Sequence, residues 1–192
     1  MFYSLVFLSL IFTSHALMLT NLADILRNAG LNVTEVDGWK TRAHGPIDDI
    51  RSIIIHDTCG PPTGDYPSLP IVRDGRPDLS GPLAQLGLGR SGLWYIIAAG
   101  LCYHAGVVTN VTLFSNEHAI GIEAEGIGEP PTDVGHISWP EVQYQSYLKG
   151  VRALQKAFNV STDLVRGHKE IAYPIGRKDD PNFSMDEFRA AL

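Results

Sequence analysis

The stretch richest in reactive groups runs Gly167-His168-Lys169-Glu170-Ile171-Ala172 and continues through Arg177-Lys178-Asp179-Asp180-Pro181. It gathers imidazole, ammonium and carboxylate groups around Tyr173-Pro174 and Gly176, residues that predict a loop rather than a helix. Such a loop can present His, Lys and Asp to one point. Imidazole and carboxylate suit Zn²⁺, and an ammonium can steady a developing oxyanion. Two ligands do not complete a zinc site, so a third is expected upstream. His56 is the candidate, because it closes the β-branched run Ile53-Ile54-Ile55 and opens into a Gly/Pro-rich segment, where sites gather. Cys59 is a competing ligand three residues on, ranked below the aspartate because no second cysteine forms a CxxC pair with it.

Taken singly, these residues have ordinary structural readings. A lone histidine is more often structural than a ligand, and the chain carries seven. Glu123 alone reads as a half-exposed strand residue and Lys178 alone as a solvated surface lysine. The chemistry depends on the elements that position them.

Arg51 to His56 reads as a buried strand bounded by turn signals. In Ala119-Ile120-Gly121-Ile122-Glu123-Ala124-Glu125, alternation sends Ile120, Ile122 and Ala124 to the core. The opposite face then carries Glu123 and Glu125 beside a glycine that leaves room. Leu93 to Ala99 reads as another buried strand, and Cys102 to Val107 following at once predicts a hairpin. Residues 57–92, with Gly60-Pro61-Pro62, Asp74-Gly75-Arg76-Pro77 and Ser80-Gly81-Pro82, read as a long connection built of turns, of the kind that lines a cleft.

Three helices are predicted. Thr20 caps the first, with Leu22, Ile25, Leu26 and Ala29 as its stripe and Gly30 as its stop. Ser138-Trp139-Pro140-Glu141 reads as a capping box opening a helix over 139–158, whose apolar face is Tyr144, Tyr147, Leu148, Val151, Leu154 and Phe158. Ser184 with Glu187 caps a short last helix. The fold class is α/β (mixed α+β): a central mixed β-sheet flanked by helices, in a single domain.

At 192 residues the chain accommodates one domain with a proper core and is too short for two of ordinary size. Its 44% apolar and 19% charged content is that of a soluble globular protein. A net charge of −6 without any Lys/Arg run argues against nucleic acid and anionic membrane as partners. Residues 1–16 are apolar and uncharged up to Ser14-His15-Ala16, which reads as a secretory signal peptide cleaved after Ala16, leaving 17–192 as the domain. Met18 is the alternative start. Asn32, Asn110, Asn159 and Asn182 each sit in a formal glycosylation acceptor, which favours a secretory route. Cys59 and Cys102 are either one disulfide or two buried thiols.

Five pieces together form a known constellation: Ile53-Ile54-Ile55-His56, Tyr103-His104-Ala105-Gly106, Ile120-Gly121-Ile122-Glu123-Ala124-Glu125-Gly126, Gly167-His168-Lys169-Glu170-Ile171-Ala172 and Arg177-Lys178-Asp179-Asp180-Pro181. Their types and order resemble the zinc-dependent N-acetylmuramoyl-L-alanine amidases, the group that includes phage endolysins, bacterial type-2 amidases and peptidoglycan recognition proteins. The Gly/Pro-rich middle and the Trp94-Tyr95 strand look most similar to endolysins of actinobacterial phages and their bacterial relatives.

The resemblance implies roles. His56, His168 and Asp180 would be the metal ligands for Zn²⁺, Asp180 being favoured over Asp179 by the Lys-x-Asp spacing. Glu123 would be the general base, Lys178 would steady the oxyanion, His104 would line the substrate cleft, and Glu125 would support the site. The implied substrate is bacterial peptidoglycan, glycan strand plus stem peptide, cut between N-acetylmuramic acid and L-alanine by a secreted monomer. A recognition protein on the same fold, with catalysis lost, is the alternative. The complete ligand set argues against it, and the shortage of cysteines argues against a purely structural zinc site.

Overall fold

The computed structural model describes residues 17–130 and 133–192. The signal peptide read over 1–16 lies outside them. In chain order the elements are α1 (Leu22–Asn28), β1 (Val33–Glu35), β2 (Ser52–Asp57), α2 (Leu69–Asp74), β3 (Gly75–Arg76), β4 (Leu79–Ser80) and β5 (Leu86–Leu88). There follow β6 (Trp94–Ile96), α3 (Val111–Phe114), β7 (Ala119–Ala124), α4 (Glu141–Phe158), β8 (Val165–Gly167), α5 (His168–Ile171) and α6 (Met185–Ala190). Among the described residues, no helix is long and apolar enough to cross a membrane.

The main sheet has the order β1-β6-β5-β7-β2-β8 and is mixed: β5 and β6 pair antiparallel, every other neighbouring pair parallel. Its centre is buried on both faces, as β2 shows by having no exposed residue. The period of two sorts the side chains. Ile53 and Ile55 of β2 join Ile120, Ile122 and Ala124 of β7 in the larger core, packed against Tyr147, Leu148, Val151 and Leu154 of α4, Leu22 and Leu26 of α1, and Phe188 of α6. Ile54 faces the other way, into a smaller cluster with Ala105, Val108, Phe114 and Ile171. One face is thus sealed by the long helix, and the other is left for shorter elements and the site.

The elements differ from the sequence reading in five places. Cys102 to Val107 forms no hairpin with β6. The donors that a strand would need are taken elsewhere: Tyr103 N–H bonds the Pro82 carbonyl, and His104 and Ala105 N–H both bond the Asn116 side chain. The antiparallel partner of β6 is β5, from inside the presumed turn-built connection, which also holds α2 and the β3–β4 hairpin. The Ser138–Glu141 capping box does not form; α4 starts at Glu141, Ser138 Oγ accepts from Asn182 Nδ2 at 3.1 Å, and Glu141 meets His136 Nε2 at 2.9 Å. Asn21, not Thr20, precedes α1, with no side-chain cap. The loop predicted after Gly167 begins with one helical turn, α5, closed by Glu170 Oε2 accepting from Gly167 N–H at 2.8 Å.

The last helix is capped as predicted, Ser184 Oγ accepting from Glu187 N–H at 3.1 Å. Cys59 and Cys102 are both free, Cys102 buried and Cys59 exposed. Asn182 is only 3% exposed, and its side chain bonds Trp139, Ser138 and the Pro130 carbonyl. A glycan at that acceptor is incompatible with the fold.

Candidate active site

Register places the reactive side chains. In the β2–β7 pair His56 stands opposite Glu123, and in the β2–β8 pair Ile55 stands opposite Gly167, so His168 emerges beside His56. The three strands are parallel, so all three side chains gather at their C-terminal ends, the edge where open α/β sheets bind ligands. Asp180 arrives on the loop after α5, its carbonyl accepting from Lys169 N–H at 2.8 Å. Asp57 fixes the next residues, since its Oδ2 accepts from Asn182 N–H at 3.2 Å.

His56 Nδ1 lies 3.1 Å from His168 Nδ1 and 3.1 Å from Asp180 Oδ2, and His168 Nδ1 lies 3.2 Å from Asp180 Oδ1. The His56, His168 and Asp180 ligand atoms all lie within 4.8 Å of one another, and all three residues are buried. Glu123 Oε1 is 3.9 Å from His56 Nδ1, its side chain 17% exposed to the cleft. Burial pulls the His56 imidazole down to about 4, against the opposing pull of Asp180, so the ring is neutral at physiological pH. Burial would raise Asp180, but the His168 and His56 rings beside it hold its carboxyl below the usual carboxylate range. Two rings and a carboxylate therefore crowd one point.

Burial, then the negative charges of Asp180 and Asp57, push the Glu123 carboxyl well above its ordinary range, with Lys178 opposing. A carboxyl raised on folding favours the fold at low pH and loses that contribution as pH rises through its folded value. Metal-free Glu123→Gln is therefore expected to melt with the wild type in acid and above it at neutral pH. Melts in chelator across pH check this, and parallel curves would contradict it.

These groups open on a cleft of about 580 Å³ that is also lined by His104, Lys178, Tyr103, Arg76 and Arg177. All six residues proposed from the sequence as ligands, catalytic groups or cleft lining thus meet in one place. Cys59 also borders the cleft, but its Sγ lies 3.1 Å from Asp57 Oδ1 and it is not in the ligand cluster. Glu125 is buried, where it ties the far wall of the cleft: it accepts from Thr58 Oγ1 at 2.9 Å and from Ser68 N–H and Oγ at 3.0 Å each. Sequence reasoning missed Asp57, Asn116 and Asn182. Their partners are distant in the chain, and no spacing announces them.

Gly121 is needed beside His104. A Cβ there would lie 2.5 Å from His104 Cγ. Gly121→Ala is expected to cost about 1–3 kcal/mol of stability by overpacking and to displace the histidine. A denaturant titration measures it, and an unchanged midpoint would contradict it.

Residues 46–183 match the family model described as N-acetylmuramoyl-L-alanine amidase. No curated protein shows significant similarity to the chain in sequence. Among solved structures, a selenomethionine derivative of AmpD aligns with 84% of this chain and 94% of its own at 21% identity, with a TM-score of 0.59. The endolysin amidase LysCS from Clostridium intestinale aligns at 19% identity over 83% and 93% of the two chains, TM-score 0.58. The amidase AmiD from E. coli, solved with anhydro-N-acetylmuramic acid-L-Ala-D-γ-Glu-L-Lys, aligns at 21% identity over 77% of this chain and 60% of its own, TM-score 0.54. These likenesses establish the shared fold.

Proposed function

We propose a reaction from one premise: this chain belongs to the N-acetylmuramoyl-L-alanine amidase family. It hydrolyses the amide between the lactyl carbonyl of N-acetylmuramic acid and L-alanine in peptidoglycan. The observation that carries the reading is the convergence of His56, His168 and Asp180 beside Glu123 at the floor of an open cleft. The muramyl peptide seen in AmiD supports the choice of substrate.

The donor set fits Zn²⁺. Two imidazole nitrogens and a carboxylate are a three-ligand zinc set of the catalytic kind. Their separations of 3.1–3.2 Å approach the roughly 3.3 Å between ligands that are each about 2.0–2.1 Å from a tetrahedral ion. Bound there, Zn²⁺ supplies a water acidified toward a pKa of about 7 and a Lewis acid for the carbonyl.

The chain's own residues do the rest. Glu123, presented from β7 opposite His56, takes a proton from the attacking water and passes it to the departing alanine nitrogen. Lys178 donates from the cleft rim to the carbonyl oxygen as charge develops, a contribution of about 3–4 kcal/mol for one such donor. The wall tied by Glu125 gives the glycan and stem peptide a fixed surface, built from residues 58–83.

Digestion of purified peptidoglycan tests the reading. New alanine amino termini are expected, without new reducing ends. Binding to the wall with no release of peptide would transfer the chain to the recognition class, and new reducing ends would assign it to glycan cleavage.

A further inference from the structure

Each of the two imidazoles has a partner on its second ring nitrogen, His104 Nδ1 for His56 and the Ala105 carbonyl for His168. We propose that His104-Ala105, anchored by Asn116, is the outer frame of the metal centre and sets the tautomer of both His56 and His168. The proposal deepens the zinc reading above and rests on it.

The hydrogen bonds run in one direction. His104 Nε2 lies 3.3 Å from the Ala119 carbonyl oxygen. A carbonyl only accepts, so Nε2 carries the proton and Nδ1 of the neutral ring carries a lone pair. That Nδ1 lies 3.3 Å from His56 Nε2, which therefore donates. His56 is left with an unprotonated Nδ1, the atom directed at His168 and Asp180. For His168 the same logic takes one step: Nε2 lies 3.1 Å from the Ala105 carbonyl and donates to it, freeing Nδ1. Two consecutive residues thus serve both ligands, one through its ring and the other through its peptide carbonyl.

The frame is itself fixed. Asn116 Oδ1 accepts from His104 N–H at 3.1 Å and from Ala105 N–H at 2.9 Å. The His104 and His56 rings meet edge to face at 82°, with centroids 5.3 Å apart. His104 is 6% exposed and Ala105 fully buried, so little water competes for these bonds. Both ring nitrogens of His104 are committed, which makes it a positioning residue and not a substrate contact, although it borders the cleft. A frame of this kind spares the metal from having to select a tautomer or turn a ring.

The test reads zinc affinity and protonation, not hydrolysis. Competition against a chromophoric chelator is expected to show zinc binding weakened about 10–100-fold in His104→Phe, which keeps a ring but loses the acceptor. Asn116→Ala should weaken it in the same direction, and Asn116→Asp, which keeps an accepting oxygen, should restore it. Long-range ¹H–¹⁵N spectra of metal-free wild type at alkaline pH should show His56 and His168 as Nε2–H tautomers. Wild-type affinity in a folded His104→Phe overturns the proposal. If that variant does not fold, the wild-type spectrum decides, and an Nδ1–H signal from either ring overturns it. A wild type that binds zinc through this frame yet cleaves nothing would defeat the amidase reading and leave the frame standing.

Discussion

Glu123→Gln is expected to lower kcat for wall hydrolysis by about 10²–10⁴-fold, the range for losing a positioned general base. Zinc content should stay at that of the wild type, because the proposed ligands are His56, His168 and Asp180, without Glu123. Glutamine fills the same space on β7, so the His56–Glu123 register and the cleft persist. What goes is the capacity to hold a proton between attack and departure of the amine. KM should change little, since the substitution is neutral in shape. Steady-state kinetics on solubilised peptidoglycan, with metal analysis of the same sample, measures both. Full activity in Glu123→Gln would move the base elsewhere. The same substitution is expected to stabilise the metal-free protein at neutral pH, so one residue should trade stability for catalysis.

Asp180→Ala carries the second large effect. In the proposed zinc site it removes the one anionic group and leaves two imidazoles, which would bind zinc less tightly and leave more of the ion's charge uncompensated. Zinc present at about a hundred times its dissociation constant should stabilise the wild type by about 2.7 kcal/mol, or roughly 5–10 °C in Tm for a chain of this size. Asp180→Ala should show almost none of that gain at the same zinc concentration, and hydrolysis should fall to background. Paired melts with zinc and with chelator measure it. An equal zinc-induced rise in the variant would remove Asp180 from the ligand set. Asp179, its exposed neighbour on the cleft rim, is the natural control, since its replacement should leave the rise intact.

Much of the site was legible because it sits on periodic elements. The isoleucine run of β2 and the alternation of β7 place His56 and Glu123, and neither depends on distant partners beyond the sheet itself. The apolar face of α4 was equally plain, and its Tyr147 hydroxyl reaches the carbonyls of His56 and Ile122 at the ends of those strands. The misreadings share one cause. At Tyr103 to Ala105 the backbone donors are claimed by Pro82 and by the Asn116 side chain, contacts that no local pattern encodes. Ser138 was drawn away from its helix by Asn182, 44 residues on. Asp57, beside His56 and bonded to Asn182 across 125 residues, had no spacing to give it away. Local periodicity gives the strands, and the residues that brace the His56–His168–Asp180 cluster become visible only when the chain is folded.

The most direct measurement is zinc reconstitution of chelated protein, followed by release of L-alanine-terminated peptide from a defined muramoyl peptide. No release is expected without metal, and activity should return linearly and saturate at one zinc per chain. Undiminished release in chelator, or no release at any zinc level from a protein that has bound its zinc, would contradict it.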